Sequence, residues 1–186
     1  FGEWILRIAD FYFDDGSRPR LGAIRSYNPG GKSAFFESHN FSPDDRRVLF
    51  TGNQDGPLEI YEMDVQTGNT RRLTHHSPMT WDEHSHYAPD GQKIVWMSSK
   101  HLRFKIKPFD LQTDFWIMKR DGTDKKRLTW LHAPKYPHYL ARSFAVAADF
   151  DWSPGGDQIM GLVITHRPDT RKRGSGLIVL IDLPII

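Results

Sequence analysis

The chain has 186 residues, 25 basic and 23 acidic side chains for a formal net charge of +2, and no cysteine. That length points to one core, and the near-balanced charge gives no electrostatic footprint for nucleic acid or an anionic membrane. Without thiols there is no disulfide framework, thiolate metal site or cysteine nucleophile. No apolar stretch approaches the ~18 residues that span a bilayer, and Phe1-Gly2-Glu3-Trp4 does not read as a signal peptide. The abrupt start leads us to expect further chain upstream.

From the N-terminus, residues 4–11 and 20–27 read as two strands around a turn at Asp14-Asp15-Gly16. A repeat then begins. Phe41-Ser42-Pro43-Asp44-Asp45-Arg46-Arg47-Val48-Leu49-Phe50 recurs as Tyr87-Ala88-Pro89-Asp90-Gly91-Gln92-Lys93-Ile94-Val95-Trp96, and again as Trp152-Ser153-Pro154-Gly155-Gly156-Asp157-Gln158-Ile159-Met160-Gly161. The second half of the unit recurs too. Glu59-Ile60-Tyr61-Glu62-Met63-Asp64 and Arg71-Arg72-Leu73-Thr74 match Asp114-Phe115-Trp116-Ile117-Met118-Lys119 and Lys126-Arg127-Leu128-Thr129.

Each unit has a physical reading. An aromatic closes the first strand, and Pro with Asp or Gly makes a tight turn. A β-branched and aromatic second strand follows, then a loop, a third strand, a Gly-containing turn and a short fourth strand. Four antiparallel strands in about 40 residues is a propeller blade. The expected fold is therefore all-β: a partial propeller ring of about three and a half blades. We divide it into a partial blade at 1–34, a blade at 35–80, a blade with an insertion at 81–147 and an incomplete blade at 148–186. The ring is either a fragment of a longer propeller or closed by a second copy as a homodimer. The insertion lies in residues 100–114, and residues 133–141, with Pro134 and Pro137, show no helical period. The basic run at 167–173 and Ser175 read as loop.

The three turns and the Ile-Tyr-Glu-Met-Asp and Arg-Arg-Leu-Thr elements resemble the repeat of TolB-like propellers. This chain departs from the pattern at Asp45, Ala88 and Gly155. The resemblance implies a periplasmic or secreted binding scaffold for a protein or polar small molecule. Related blades accompany peptidase domains, but no Gly-x-Ser-x-Gly nucleophile elbow is present here. A propeller cut from a larger peptidase therefore remains an alternative reading.

The segments ahead of the turns carry the candidate chemistry. Glu37-Ser38-His39-Asn40 aligns with Glu83-His84-Ser85-His86 and with Ala148-Asp149-Phe150-Asp151. The first strand of a blade lines the channel, so these residues are expected to converge at its mouth. By strict alternation His84 and His86 share a face, as do Asp149 and Asp151. His39 is out of step and would face away unless its strand is irregular. His84, His86, Asp149 and Asp151 would suit a divalent metal (Mn, Ca or Zn), and through it a lyase or hydrolase acting on an anionic saccharide or peptide. Oligogalacturonate lyases, also propellers, are described as holding manganese through histidines, but their motif has no residue-by-residue match here. The other reading has these groups bonding to neighbouring blades and channel water. Glu37, Glu83 and His39 are further binding candidates. Trp130, His132, Tyr136 and His138 form either an aromatic rim for a sugar or partner, or a cover for the third unit. His75-His76 reads as exposed loop, and Trp81, Trp96, Trp116 and Trp152 as core.

Overall fold

The computed structural model describes residues 4–76, 79–102, 111–140, 144–166 and 175–183. Among them are thirteen strands in four antiparallel sheets and no helix, so none is long and apolar enough to cross a membrane. The architecture is all-β, a partial propeller. A hairpin of β1 (Leu6–Phe13) and β2 (Pro19–Tyr27) precedes two complete four-stranded blades. The first comprises β3 (Phe36–Phe41), β4 (Arg47–Gly52), β5 (Glu59–Asp64) and β6 (Thr70–Arg72). The second comprises β7 (Asp82–Tyr87), β8 (Lys93–Ser98), β9 (Asp114–Lys119) and β10 (Lys126–Arg127). A last sheet holds β11 (Phe144–Trp152), β12 (Gln158–His166) and β13 (Ser175–Asp182). β11 starts ahead of residue 148, and Ser175 opens β13 instead of lying in a loop. The centre of the insertion (103–110) and the basic run (167–173) lie outside the described residues.

The three proline turns are the same structure. Asp45, Gly91 and Gly156 each donate a backbone N–H to the carbonyl of Ser42, Ala88 and Ser153, at 2.8–2.9 Å. Each holds a left-handed φ, of 55°, 68° and 72°. Glycine reaches that region freely and aspartate tolerates it, which is why Asp45 stands where the other two turns have glycine. The turns also stack: a Cβ at Gly91 would sit 3.3 Å from Pro43, and one at Gly156 3.5 Å from Pro89. Ser42 and Ser153 brace their turns through the N–H of Arg47 and Gln158. Ala88 has no hydroxyl, and Asp90 supports that turn through the N–H of Gln92.

Both faces of the complete sheets are apolar, and successive residues serve different cores. Val48 and Phe50 pack toward the hairpin with Ile8, whereas Leu49 packs toward the next blade with Ile94 and Trp96. Val95 points the other way, joining Phe115, Ala147 and Phe150. Period-two alternation thus buries every second residue in a different interface. β7 packs against both β3 and β11, so the first strands lie side by side at the inner edge. At the outer sheets apolar side chains stay exposed, including Leu21 and Ile24 on β2 and Ile178 and Leu180 on β13.

In both complete blades a carboxylate at the start of the third strand ties it to the chain beyond the fourth. Asp114, fully buried, accepts from the Thr129 hydroxyl (2.6 Å), the Leu131 N–H (2.9 Å) and Arg127 (2.5 Å). Glu59 accepts from Arg72 (2.8 Å), the His76 N–H (2.6 Å) and the Thr74 hydroxyl. Removing one partner of such a pair strands the others without water. We predict that Asp114→Ala costs about 3–5 kcal/mol in urea unfolding and Thr129→Val about 1 kcal/mol. A loss below about 1 kcal/mol for Asp114→Ala would contradict the clamp.

Candidate functional site

Every first strand is bulged at the equivalent place. Phe36, Asp82 and Ala147 pair with Gly52, Ser98 and Val163. The register then shifts between Ser38 and Asn40, between Glu83 and His86, and between Ala147 and Phe150. A bulge leaves a residue unpaired and re-aims the side chains around it, so strict alternation fails here. His84 takes a left-handed φ of 49° inside its bulge, a conformation more accessible to His than to β-branched residues.

This irregularity brings His39 inward. Its ring centroid lies 5.7 Å from that of His84, so His39 does not face away from the set. His84 Nδ1 is 2.8 Å from Asp149 Oδ1, and its Nε2 is 3.7 Å from Glu83. The His86 ring packs on Phe150 at 4.8 Å. Asp149 is largely exposed, and Glu37 and Asp151 are exposed as well. Asp151 accepts the N–H of Trp152 at 2.8 Å.

Proton positions follow from the contacts. The Thr51 hydroxyl donates to the Asp82 carbonyl (3.1 Å), so its contact with His39 Nε2 (2.8 Å) makes that nitrogen the donor. Burial, with the imidazoles of His84 and His86, pushes His39 down to about 3, leaving it neutral with a lone pair on Nδ1. Burial also lowers His86, against the pull of Asp151. Glu83 is driven up to about 7 by burial, opposed by the Trp81 indole N–H (2.8 Å) and helped by the charges of Glu37 and Asp149. The cluster thus sets the lowered imidazoles of His39 and His86 beside a Glu83 carboxyl that resists ionisation.

His84 and Asp149 meet directly, but His84, His86, Asp149 and Asp151 do not close on one point. Among the described residues, no three of them place a ligand atom each within 4.8 Å of one another. The predicted rim divides. Trp130 and Tyr136 stack at 4.6 Å, with Arg127 over the first ring and Lys135 over the second, so their faces are largely used. His132 Nε2 bonds the Ala145 carbonyl at 2.9 Å, linking the connection to β11. His138 is exposed and lines a cavity of about 550 Å³ with Leu131 and Val179. Trp96 and Trp116 are core, and Trp152 packs against the core around Phe115 while donating to the His86 carbonyl (3.4 Å), whereas Trp81 serves the cluster through Glu83.

Two features escape sequence reasoning. A groove of about 740 Å³ carries Arg47, Arg71 and Arg120 converging on buried Glu62, which also accepts the Tyr87 hydroxyl (2.6 Å). The arginines come from separate turns and strands, so no local motif announces them. A cavity of about 200 Å³ also opens between β1 and β3 beside His39.

No family model matches the chain. A curated relative, the uncharacterized protein Atu1656 of Agrobacterium fabrum, is 28% identical over 123 residues, or 66% of this chain and 34% of that protein. Among solved structures, the putative TolB from Agrobacterium tumefaciens superposes with a TM-score of 0.61 at 21% identity, over 95% of this chain and 57% of that one. TolB from Acinetobacter baumannii gives 0.52 at 15% identity, over 91% and 42%. A puromycin-hydrolyzing peptidase of Mycobacterium tuberculosis gives 0.50 at 15% identity, over 91% and 23%. The chain therefore spans about a third of the curated relative and just over half of the first TolB structure.

Glu83 makes the site pH-sensitive. A carboxyl raised in the fold from 4.5 to about 7 adds stability below pH 4.5 and loses it as pH rises through 7. Glu83→Gln should therefore stabilise the protein at pH 8 by about 2–3 kcal/mol and leave it unchanged near pH 4.5. Equal effects at the two pH values in thermal melts would contradict this.

Proposed function

Starting from the TolB-like β-propeller fold of this chain, we propose that it is a non-enzymatic binding scaffold, holding a protein or polar ligand where its first strands meet. The supporting observation is the cluster of His39, Glu83, His84, His86 and Asp149, brought together by equivalent bulges in three successive sheets. The neutral imidazole of His39 offers its Nδ1 lone pair, and the exposed carboxylates of Glu37, Asp149 and Asp151 accept further hydrogen bonds. This chemistry suits a ligand rich in N–H or O–H donors, such as an exposed loop of a partner protein bearing Lys or Arg. The setting we assign is the periplasm or the cell exterior, by likeness to TolB.

The enzymatic alternatives need more than this arrangement supplies. A metal-dependent lyase or hydrolase needs donors that close on one ion, and a peptidase needs a nucleophile from a segment other than this one. The peptidase structure of similar fold supports kinship of the propeller alone.

The test is affinity purification from envelope extract of the source organism. The baits are the wild type, the double variant His84→Ala/Asp149→Ala, and the surface control Arg46→Ala. A partner or ligand recovered by wild type and control, and reduced at least about tenfold by the double variant, is expected for loss of a charge-assisted contact pair. Equal recovery by all three would remove the cluster as the binding surface. Cleavage of polygalacturonate in the presence of Mn²⁺ would replace the non-enzymatic reading.

A further inference from the structure

His76 is not the exposed loop residue its position after Leu73-Thr74 leads one to expect. Its side chain is only 6% exposed and faces Asp82, which is fully buried at the start of β7. The His76 Nε2 atom lies 3.1 Å from Asp82 Oδ2. Yet neither Asp82 oxygen, nor His76 Nε2, has a hydrogen-bond partner. A buried carboxylate with both oxygens unmet is costly and calls for a missing partner.

Glu59 completes the group. One ligand atom each from Glu59, His76 and Asp82 lies within 4.8 Å of the others. Three donors already reach the Glu59 carboxylate: Arg72, the His76 N–H and the Thr74 hydroxyl. A carboxylate offers about four lone-pair sites, so one remains. The next blade shows what the position looks like without a ligand. There Asp114 holds the same clamp, but Leu131 stands for His76 and Ala147 for Asp82, and both are buried and apolar. The gap between the two complete blades therefore carries two polar groups that its neighbour lacks.

We propose that Glu59, His76 and Asp82 form a buried divalent-cation site that pins the first complete blade to the second. One imidazole and two carboxylates, with no thiolate, suit Zn²⁺ or Mn²⁺. The ion takes the free lone pairs of Asp82 and His76 and the remaining one of Glu59. The cations facing it are Arg72, bonded to Glu59, and Lys125, which is near enough to feel both carboxylates. Their positive charges partly offset the two carboxylates and so lower the affinity of the site for any cation. The site is separate from the cluster around His84 and does not depend on the binding role proposed above.

The purified protein is stripped with chelator and titrated with Zn²⁺ and with Mn²⁺, with binding read by calorimetry and by thermal melting. Near-stoichiometric binding of one of the two ions, with a rise in Tm of about 5 °C at saturation, is expected. Asp82→Asn and His76→Gln should weaken binding at least about tenfold while His84→Gln leaves it unchanged. If wild-type protein binds neither ion, or if binding survives both substitutions or falls with His84→Gln, the proposal is overturned. Should the two variants not fold, Mn²⁺ broadening of the His76 imidazole resonances in wild-type protein supports the site, and broadening at His84 instead overturns it.

Discussion

A sheet that is apolar on both faces cannot rest in water on either, and the two complete blades are of this kind. Along β4 and β8 successive side chains leave for opposite cores, with Leu49 and Val95 turned away from their neighbours. Such a sheet needs a cover on each side, and the nearest cover in sequence is another copy of itself. Stacking in this way sets the first strands beside one another. The same demand explains the exposed apolar side chains of β2 and β13, which lie on the outer sheets of the array. Faces of that kind mark surfaces made to be covered.

Placing first strands at an inner edge creates a second problem, because polar groups arriving from three sheets must share a small volume. The bulges answer it. Each adds a residue where the strands converge, and the one in β3 brings His39 to His84, which strict pleating would keep apart. The consequences are visible in the proton affinities: His39 is held neutral and Glu83 clings to its proton. Both shifts come mainly from loss of water, which is the price of gathering charge near an axis. A left-handed His84 is the backbone's share of the same compromise.

The fold was legible because it is written three times. Proline followed by a left-handed Asp or Gly recurs at matching offsets, and the alternation of large apolar residues recurs behind it. What stayed hidden depends on contacts between repeats. Period-two reasoning places His39 outward, and only the unpaired residue in β3 turns it in. His76 reads as loop because nothing local reveals that Asp82 lies opposite across the gap between blades. Likewise Arg47 and Arg71 share a sheet with Glu62, but Arg120 and the Tyr87 hydroxyl reach it from the next blade, and the full set becomes visible only once the sheets are stacked. Repeats disclose what each unit does for itself; they are silent about what neighbours do for one another.

The claim that most of this rests upon is that inner strands of adjacent sheets carry their histidines to one spot. A nuclear Overhauser experiment on protein labelled only at histidine reads it directly. The account predicts a cross-peak between the rings of His39 and His84, whose centroids are 5.7 Å apart. No such cross-peak from a folded sample with both rings assigned would mean that β3 keeps a regular pleat, and the convergence of the two strands would be wrong.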